Sequence, residues 1–343
     1  MICYISRDYR DTNTAGNKAK TDIETIMDGM GARNIGLKRT VGSGAVVHFV
    51  RNLLGVIRAM ACIRKGDVLV LQYPMKKYYE TIADVAHMRG AKVVTQIHDL
   101  NAFRSKRLTP EREIERLAHS DAIIAHNATM AAWLRQHGCK AHIVELGIFD
   151  YLSPHPVSSV RPLPEAGKPY SFFFIGNFSP KSNPFVYELA NRLKRSDCYL
   201  YGNHFEPSLL NADARAEYLG YAVDYELMKE NKGDFGLSWY GESLTEGKGK
   251  IGEYMSYNNP HKVSLYLRCH VPVILSRTAG LASFVEREGC GFLVDDLTDL
   301  EERMSAITAD EYERMHAASV RVGNRIASGA YFSEALGACL KLL

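Results

Sequence analysis

Short β-rich runs alternate with helical stretches along almost the whole sequence, and this alternation constrains the fold more than any other feature. In the first half the strand-like runs are 1–6, 67–74, 92–99, 121–127 and 141–146. Apolar residues recur at helical spacing between them, over 17–30, 78–89, 110–119 and 128–137. Strands that are apolar almost without interruption are typical of a parallel sheet covered by helices on both faces. The first half is therefore predicted to be a Rossmann-like α/β domain.

A proline-rich stretch divides the sequence, and the same alternation starts again after it. Residues 150–169 contain five prolines, which lack a backbone donor and disfavour helix in the preceding residue. The later strand-like runs are 171–177, 198–202, 217–221, 234–240, 271–276 and 291–296, and the helical stretches are 183–195, 224–231, 260–269, 280–288 and 309–327.

The predicted architecture is an α/β fold of two Rossmann-like domains. They cover residues 1–155 and 168–325, and a C-terminal helix over 326–343 can pack back on the first domain. Open parallel sheets bind ligands at the carboxyl ends of their strands. The default active site is therefore a cleft between the two domains, lined by polar residues that follow strands.

Size and composition agree with a two-domain globular protein, since 343 residues exceed what one hydrophobic core usually holds. No apolar run reaches the roughly 18–20 residues that a membrane-spanning helix needs, and Arg7 and Asp8 come too early for a secretory signal. The seven cysteines form no CxxC pair, so we expect them to be reduced and buried rather than in a zinc site or disulfide framework. These features predict a cytoplasmic protein.

Charge is distributed unevenly along the sequence. Residues 1–160 hold 22 Lys and Arg against 15 Asp and Glu, a net charge of +7, whereas the remainder carries −4. A basic half suggests an anionic partner, either a phosphate-bearing substrate or a membrane surface, although ordinary surface variation is the alternative. Nucleic acid is disfavoured because no dense basic run or nucleic-acid motif is present.

The strongest local signal for chemistry is YNNPHKVSLYL at 257–267. Asn258 or Asn259 can cap a helix at this point, and Pro260 suits the first helical turn. Lys262 then adds a positive charge where the helix dipole disfavours one, unless an anion joins it. A bound diphosphate would resolve this conflict, and an exposed lysine on an ordinary capped helix is the alternative.

Other strand ends of the second domain offer further polar groups. The segment 241–253 holds four glycines directly after a predicted strand, which is typical of either a ligand-binding loop or a plain surface loop. Asn177 and Lys181 follow the first strand of this domain, and Gly220 with Tyr221 ends another, where an aromatic ring can hold a base.

In the first domain, two places at strand ends can carry chemistry. Thr14 and Gly16 lie where the first strand leads into a helix, and His98 and Asp99 end the strand of 92–99, where a general base would sit. For His98 alone, a structural histidine is the competing interpretation. Neither GxGxxG nor a phosphate-binding P-loop motif is present, and a GxSxG elbow is also absent. No DxD triplet or metal-ligand spacing occurs, so metal-independent chemistry is expected.

The segment 45–65 is amphipathic, with Arg51, Arg58, Arg64 and Lys65 interrupting apolar residues. Such a segment could lie on anionic lipid. A helix that faces the core of the first domain is the favoured interpretation.

The stretch 236–275 resembles a bacterial group of GT-B glycosyltransferases. This group includes β-1,6-galactofuranosyltransferases and the glucosyltransferases that extend N-acetylglucosamine on serine-rich adhesins. The YNNPHK, SLYL and PVI runs carry the resemblance, while IHDL at 97–100 and TAGNKA at 14–19 look like the group's N-terminal motifs. The resemblance implies a UDP-sugar donor held mainly by the second domain, an acceptor held mainly by the first, and inversion at the anomeric carbon without a metal or other cofactor.

With this resemblance, roles can be assigned to the candidates. Asp99 is predicted to be the catalytic base, with His98 as its competitor and Asp8 or Asp11 next. Thr14 and Gly16 are placed on the acceptor side of the cleft. The nucleotide-sugar site is predicted to contain Asn177, Lys181, Gly220, Tyr221, Tyr257, Asn258, Asn259, His261 and Lys262.

The chain departs from the group's pattern at two places. The group often has an acidic residue after the strand tryptophan, where this chain has Tyr240, and this leaves the identity of the donor sugar open. Small residues and glycine usually precede the PVI run, where this chain has Arg268, Cys269 and His270. The second difference lies at a helix end, so we expect it to affect packing only.

The predicted function is transfer of a hexose, with galactofuranose or glucose favoured, from a UDP-sugar to a saccharide, glycolipid or glycoprotein. Two other classes stay open. One is a non-catalytic partner subunit that keeps the GT-B fold, and the other is a two-Rossmann nucleotide-sugar epimerase, whose expected carboxylates are not evident. Peripheral contact with the inner membrane face and self-association also stay open.

Overall fold

The computed structural model describes residues 1–9, 15–42, 44–75, 77–104, 108–157, 167–240, 242–245 and 254–343. It divides the chain into two compact units. The first unit is Met1–Tyr151 with Gly329–Leu343, and the second unit is Leu152–Ser328. Thr14, Asp11, residues 158–166 of the proline-rich stretch and most of the glycine-rich segment lie outside the described residues.

A parallel sheet forms the centre of the first unit. Its strands are β1 (Ile2–Tyr4), β3 (Arg33–Asn34), β5 (Val68–Tyr73), β6 (Lys92–Ile97), β7 (Ala122–Ala125) and β8 (His142–Glu145), and a separate pair is formed by β2 (Asp8–Tyr9) and β4 (Thr40–Val41). The helices of this part are α1 (Ala15–Gly29), α2 (Ala45–Cys62), α3 (Tyr79–Met88), α4 (Asn101–Arg104), α5 (Pro110–Leu117) and α6 (Ala128–Gln136). The longer strands and most helices agree with the predicted ones, but β2, β3, β4 and α4 were not predicted.

The strand order of this sheet is β3-β1-β5-β6-β7-β8. The chain passes from β1 to one side, to β3, and then crosses to the other side of β1, to β5. The order therefore reverses between β1 and β5, and this reversal opens a crevice at the carboxyl ends of those two strands. Short β3 is the strand that creates the reversal.

Helix α2 corrects the favoured interpretation of residues 45–65. Gly55, Val56 and Ala59 are the buried residues of this helix, while much of its apolar surface is exposed to solvent. Among the described helices, α2 is also long and apolar enough to span a membrane, a property that the sequence analysis missed. The helix therefore does not bury its apolar face in the core.

The second unit contains another parallel sheet. Its strands are β9 (Phe172–Asn177), β10 (Cys198–Asn203), β11 (Ala216–Gly220), β12 (Phe235–Ser238), β13 (Val273–Ser276) and β14 (Gly291–Val294). The helices are α7 (Phe185–Arg192), α8 (Asp224–Lys229), α9 (His261–Arg268), α10 (Ala282–Glu288), α11 (Leu300–Ser305) and α12 (Ala309–Ser328), with a 3₁₀ turn at Pro207–Leu209. The strand order is β11-β10-β9-β12-β13-β14, so it reverses between β9 and β12. Aromatic side chains of these strands, including Phe172, Phe174 and Phe235, form part of the buried core.

Tyr266 of α9 sits where β9 and β12 separate. The two strands pair only at Phe172–Phe235 and Phe173–Gly236. Beyond that point the Tyr266 hydroxyl accepts from the backbone N–H of Ile175 and donates to the carbonyl of Leu237, each at 2.9 Å. The side chain thus replaces direct pairing between the strands and fixes α9 beneath the crevice.

Gly236 is required for this arrangement. A Cβ at position 236 would lie 2.5 Å from Cγ of Tyr266. Overpacking of this kind typically costs about 1–3 kcal/mol, so Gly236→Ala is expected to lower the free energy of unfolding by that amount. Chemical denaturation measures it, with Gly337→Ala as the control.

Gly337 lies in the last helix, α13 (Ala330–Leu340), with no atom within 4 Å of an added Cβ. Alanine at 337 is expected to stabilise by roughly 0.5–1 kcal/mol. Equal stability of the Gly236→Ala chain and the wild type would show that α9 does not press on the strand.

Helix α13 belongs to the first unit and is held there by a buried carboxylate. Asp150 accepts hydrogen bonds from the backbone N–H groups of Tyr331 (3.2 Å) and Phe332 (2.8 Å) at the start of α13. Burial of the side chain raises the pKa of Asp150 from 3.8 to about 7, despite those two hydrogen bonds. The folded protein thus holds the proton on Asp150 more tightly than the unfolded chain does.

This pKa predicts a pH dependence of stability. A carboxyl whose pKa is raised on folding stabilises below its unfolded pKa and loses that contribution as the pH rises from about 4 to about 7. The loss should amount to a few kcal/mol, since each pKa unit corresponds to about 1.4 kcal/mol. Asp150→Asn should therefore gain stability relative to wild type across this window in pH-dependent denaturation. Asp213→Asn, at an exposed carboxylate in the turn before β11, should leave the slope unchanged; parallel curves for Asp150→Asn and wild type would contradict the assignment.

The residues that precede β13 show what the unusual 268–270 stretch does. His270 follows the last residues of α9 with φ 62°, in the left-handed region that glycine adopts most readily. Its ring lies against Gly323 of α12, where an added Cβ would be 2.9 Å from Cδ2 of His270. His270 therefore adopts a backbone conformation that is strained for a histidine, and its ring packs against α12.

All seven cysteines are free. Six of them are buried, as expected, whereas Cys62 is half-buried.

Candidate active site

The crevice at the carboxyl ends of β9 and β12 is the first candidate site. In open α/β sheets ligands bind at the point where the strand order reverses. Helix α9 starts beside this point, and its Tyr266 is anchored to both strands. The start of α9 is therefore held in a fixed position relative to the crevice.

The start of α9 differs from the predicted one. Pro260 occupies the N-cap position with extended backbone (φ −65°, ψ 124°), and no side chain caps the helix. The prediction that Asn258 or Asn259 caps the helix was wrong, because both precede the N-cap. Asn259 is buried, and the backbone N–H of Asn258 bonds the carbonyl of Tyr254. With no side-chain cap, the first turn keeps N–H groups directed out of the helix end.

Lys262 lies in this first turn, between two aromatic rings. Its Nζ is 4.1 Å from the ring centroid of Phe174, in β9, and 4.3 Å from that of Tyr240, just after β12. Within the described part of the chain, no hydrogen bond or ion pair reaches this ammonium group. Its burial lowers the pKa of Lys262 from 10.5 to about 7. Among the described residues, the Lys262 amine therefore has no negative partner, and it lies at a helix N-terminus that no side chain caps.

A pocket extends from this point along the ends of β12 and β13. Its polar lining consists of Ser238, Tyr240, Ser276 and Thr278, with Trp239 and Pro260 beside them. The Ser276 and Thr278 hydroxyls are 2.9 Å apart. Sequence reasoning missed Ser276 and Thr278, although Ser276 ends a predicted strand and could have been found by the rule applied to the other strands.

The other predicted residues of the second unit are distributed more widely. Asn177 ends β9 and is exposed, its Oδ1 accepting from the backbone N–H of Ser179 at 2.8 Å. Lys181 is exposed in the following turn, and His261 and Tyr257 are half-buried next to the start of α9. Asn177 and Lys181 thus lie at or just after the end of β9, and Tyr257 and His261 lie next to the start of α9.

Gly220 and Tyr221 are not brought to the crevice between β9 and β12. They end β11, which is separated from β12 by β10 and β9. Gly220 has φ 76° and Tyr221 is 56% exposed. The sheet order therefore places this pair at the outer edge of the sheet.

A second pocket lies at the reversal point of the first sheet, between the ends of β1 and β5. Arg7, Tyr9, Lys20 and Gln72 supply its polar groups. Burial lowers the pKa of the Arg7 guanidinium. The hydroxyl of Tyr9 donates to Glu24, whose own pKa burial raises. None of these four lining residues was predicted, although Arg7 follows the first strand directly.

His98 belongs to the hydrogen-bond network of this pocket. Its Nε2 is 2.7 Å from the amide oxygen of Gln72, and the amide nitrogen of Gln72 donates to the carbonyl of Lys20. Because an amide oxygen only accepts, Nε2 of His98 carries the proton of this hydrogen bond. The ring also stacks on Phe149 with centroids 5.5 Å apart.

The side chain of Asp99 has a different partner from that of His98. Its carboxylate pairs with the guanidinium of Arg104, an exposed side chain at the end of α4. Asp8 was one of the two further candidates for the base. It is buried, and its carboxylate already has Thr40 and His48 as hydrogen-bond partners.

A buried glutamate fixes the segment that carries Asp99. Glu113 of α5 accepts from the backbone N–H groups of Asn101 (2.8 Å) and Ala102 (2.6 Å) and from the Tyr73 hydroxyl (2.8 Å). Burial raises the pKa of Glu113. The residues after β6 are therefore held by the body of the first unit.

Gly16, which was predicted on the acceptor side, is exposed in the first turn of α1.

The chain matches the models of both domains of one protein family. Residues 2–148 match the N-terminal domain, and residues 172–339 the C-terminal domain, of the family described as glucosyltransferase 3-like. The chain belongs to the glucosyltransferase 3-like family. It is a glycosyltransferase that depends on a nucleotide sugar, as its resemblance to the galactofuranosyl- and glucosyltransferase group implied.

Relatives of this glucosyltransferase 3-like chain are similar to it along most of its length. It is 28% identical over 330 residues to the β-1,6-galactofuranosyltransferase WbbI of Escherichia coli K12, covering 95% of this chain and 94% of WbbI. It is 25% identical to glucosyltransferase 3 of Streptococcus gordonii, covering 80% and 79%. The crystal structure of WaaG, a glycosyltransferase involved in lipopolysaccharide biosynthesis, superimposes with a TM-score of 0.52 at 10% identity, covering 100% and 99%. The fold of this family member is GT-B, with two Rossmann-like domains.

Among the described residues of this glucosyltransferase 3-like protein, no group of three or more His, Cys, Asp and Glu side chains is arranged to hold a metal ion. Metal independence stays a prediction.

Proposed function

We propose that the protein transfers a hexose, glucose or galactofuranose, from a UDP-sugar to a saccharide or glycoconjugate acceptor, with inversion and without a metal ion. The names of the relatives support a hexosyl group, since WbbI is a galactofuranosyltransferase and the Streptococcus gordonii protein a glucosyltransferase. The resemblance of the YNNPHK segment to the same group supports UDP as the carrier.

The observation that carries the proposal is Lys262 at the uncapped start of α9. A departing nucleoside diphosphate needs positive charge and N–H donors at the position where its negative charge develops. Helix N-termini supply both, and the ammonium group of Lys262 adds a full charge in the same turn. Because burial already destabilises the ammonium form, an arriving diphosphate replaces missing solvation rather than competing with a carboxylate. Asn177, Lys181, Tyr257 and His261 are proposed to complete the donor site.

The pocket between β12 and β13 is proposed to hold the remainder of the donor. Hydroxyls of Ser238, Ser276 and Thr278 and the ring of Tyr240 line it. Such a mixture of hydroxyl and aromatic groups suits a sugar or a nucleoside, which present hydroxyls on an apolar ring. Gly220 and Tyr221, at the outer edge of the sheet, are proposed to contact only the far end of the nucleotide.

Asp99 is proposed to be the general base. In an inverting displacement the acceptor hydroxyl attacks the anomeric carbon opposite the diphosphate, and a carboxylate removes its proton. Arg104 is exposed, and an exposed ion pair is worth little, so it can orient Asp99 without preventing proton transfer. His98 is proposed to position the acceptor through the network of Gln72, with Thr14 and Gly16 on the acceptor side.

A nucleotide screen tests the proposal. Thermal stabilisation of the full chain is measured with UDP, ADP and GDP, because a ligand that binds only the folded state stabilises it by RT ln(1 + [L]/Kd). UDP is expected to stabilise and the other two are not. Stabilisation by none of them would point to a non-catalytic subunit, and free epimerised nucleotide sugar in a product analysis would point to an epimerase.

A further inference from the structure

Helix α2 presents apolar side chains to solvent over most of its length. The exposed fractions are 76% for Val46, 47% for Phe49, 44% for Val50, 50% for Leu54 and 49% for Ile57. At 100° per residue these five side chains fall on one side of the helix, which we call the outer face of α2. A contiguous exposed apolar surface on a soluble domain marks a binding surface.

The side of α2 that faces the first unit is, in contrast, small and polar. Gly55, Val56 and Ala59 are buried there. Asn52 accepts from the backbone N–H of Asp8 at 3.1 Å, and Nδ1 of His48 lies 2.9 Å from the Asp8 carboxylate. The helix is therefore fixed to the domain by small buried residues and by the polar contacts of His48 and Asn52, which leaves its larger apolar side chains outward.

The charge around α2 has a single sign. Residues 29–66 contain seven Lys and Arg and no Asp or Glu. Arg58 is exposed and forms no ion pair with another described residue, and Nζ of Lys77 lies 5.1 Å from the ring of Phe49. Arg51 donates to the carbonyl of Lys38 at the flank of the helix. Cations thus border the outer face.

We propose that the outer face of α2 docks on an anionic lipid bilayer, with the helix lying in the plane of the interface. An amphipathic helix with Phe, Leu and Val on one face and Arg at its flank binds in this way, through apolar burial and attraction to anionic headgroups. A spanning orientation would remove the His48 and Asn52 contacts and bury Arg51 and Arg58 in hydrocarbon. A second copy of the chain is disfavoured, because a symmetric contact through this face would bring equal positive charges together.

Vesicle sedimentation of the full chain tests the proposal. Wild type is expected to bind vesicles of phosphatidylglycerol and phosphatidylcholine, and to be released by salt, while vesicles of phosphatidylcholine alone bind it far less. Val50→Glu and Ile57→Glu should each weaken binding at least about tenfold, since each removes a buried aliphatic contact. Arg58→Gln should weaken it about fivefold, which corresponds to the loss of one interfacial cation.

Leu209→Glu provides a matched control, because Leu209 is 41% exposed in the second unit. This variant should bind vesicles as wild type does. Unfolding curves confirm that each variant is folded, and UDP binding in solution should be unchanged in all of them, so this proposal can fail without the proposed function failing. Equal binding of wild type and Ile57→Glu to anionic vesicles would overturn it. So would a concentration-dependent dimer in sedimentation equilibrium that Ile57→Glu dissociates.

Discussion

Asp99→Asn is expected to lower the rate of glycosyl transfer by about 10²–10⁴-fold, the usual effect of losing a general base. Asparagine keeps the shape and can still accept from Arg104, but it cannot take the proton of the acceptor hydroxyl. UDP affinity should stay unchanged, because the base acts on the acceptor. The measurement is turnover of a UDP-sugar together with UDP affinity for the same variant.

The control for Asp99 is Asp84→Asn, at an exposed carboxylate of the same unit, which should retain full activity. His98→Ala should reduce activity less than Asp99→Asn, through lost positioning of Gln72. Near-wild-type turnover of Asp99→Asn with an inactive His98→Ala would reverse the two roles. Activity in both variants would move the base to another residue.

Lys262→Ala is expected to weaken UDP binding about tenfold to a hundredfold, since a hydrogen bond to a charged group is worth about 1.5–3 kcal/mol. The fold should persist, because Tyr266 rather than Lys262 anchors α9 to the sheet. Titration calorimetry measures the affinity, with Lys229→Ala, at an exposed lysine of the same unit, as the control. Equal affinity of the Lys262→Ala and wild-type chains would remove Lys262 from the donor site.

The affinity should also depend on pH. The ammonium form of Lys262 binds the diphosphate, and its pKa in the free protein is about 7. UDP affinity should therefore decline as the pH rises above about 7, and binding near that pH should take up protons from the buffer. Lys262→Ala should lose this proton uptake. An uptake that persists in the variant would assign it to another group.

The sheets were largely predictable from the sequence because their strands are buried on both faces. The run 67–74 is apolar almost throughout and contains β5, whereas the run 92–99 is rich in β-branched residues and contains β6. The two-residue β3 has no such signal, yet it determines where the strand order of the first sheet reverses. Pairing with β1, and not local composition, makes Arg33–Asn34 a strand.

The orientation of α2 could not be read from its periodicity. Amphipathic spacing shows that a helix has an apolar side, but it does not show whether that side faces the core. Here the contacts of Asp8 with His48 and Asn52 decide the orientation, and those residues are 40 or more positions apart in sequence. The absence of acidic residues between 29 and 66 was the available signal.

At the candidate site, residues next to strands were easier to find than their partners. Lys262 and Asp99 follow from their positions in the sequence, whereas the rings of Phe174 and Tyr240 around Lys262 and the Arg104 partner of Asp99 depend on the fold. Pro260 shows the limit of capping rules, because proline is acceptable both at the N-cap and in the first turn. With Pro260 at the N-cap, neither Asn258 nor Asn259 is the capping residue.

The most direct test of the account follows UDP-glucose and UDP-galactofuranose by proton NMR after mixing with the full chain. We predict that wild type releases UDP together with a sugar product whose first-formed anomer has inverted configuration. Asp99→Asn and Lys262→Ala should release little of either product. Cleavage with retained configuration, or cleavage of a purine-nucleotide sugar while both UDP-hexoses stay intact, would contradict the account.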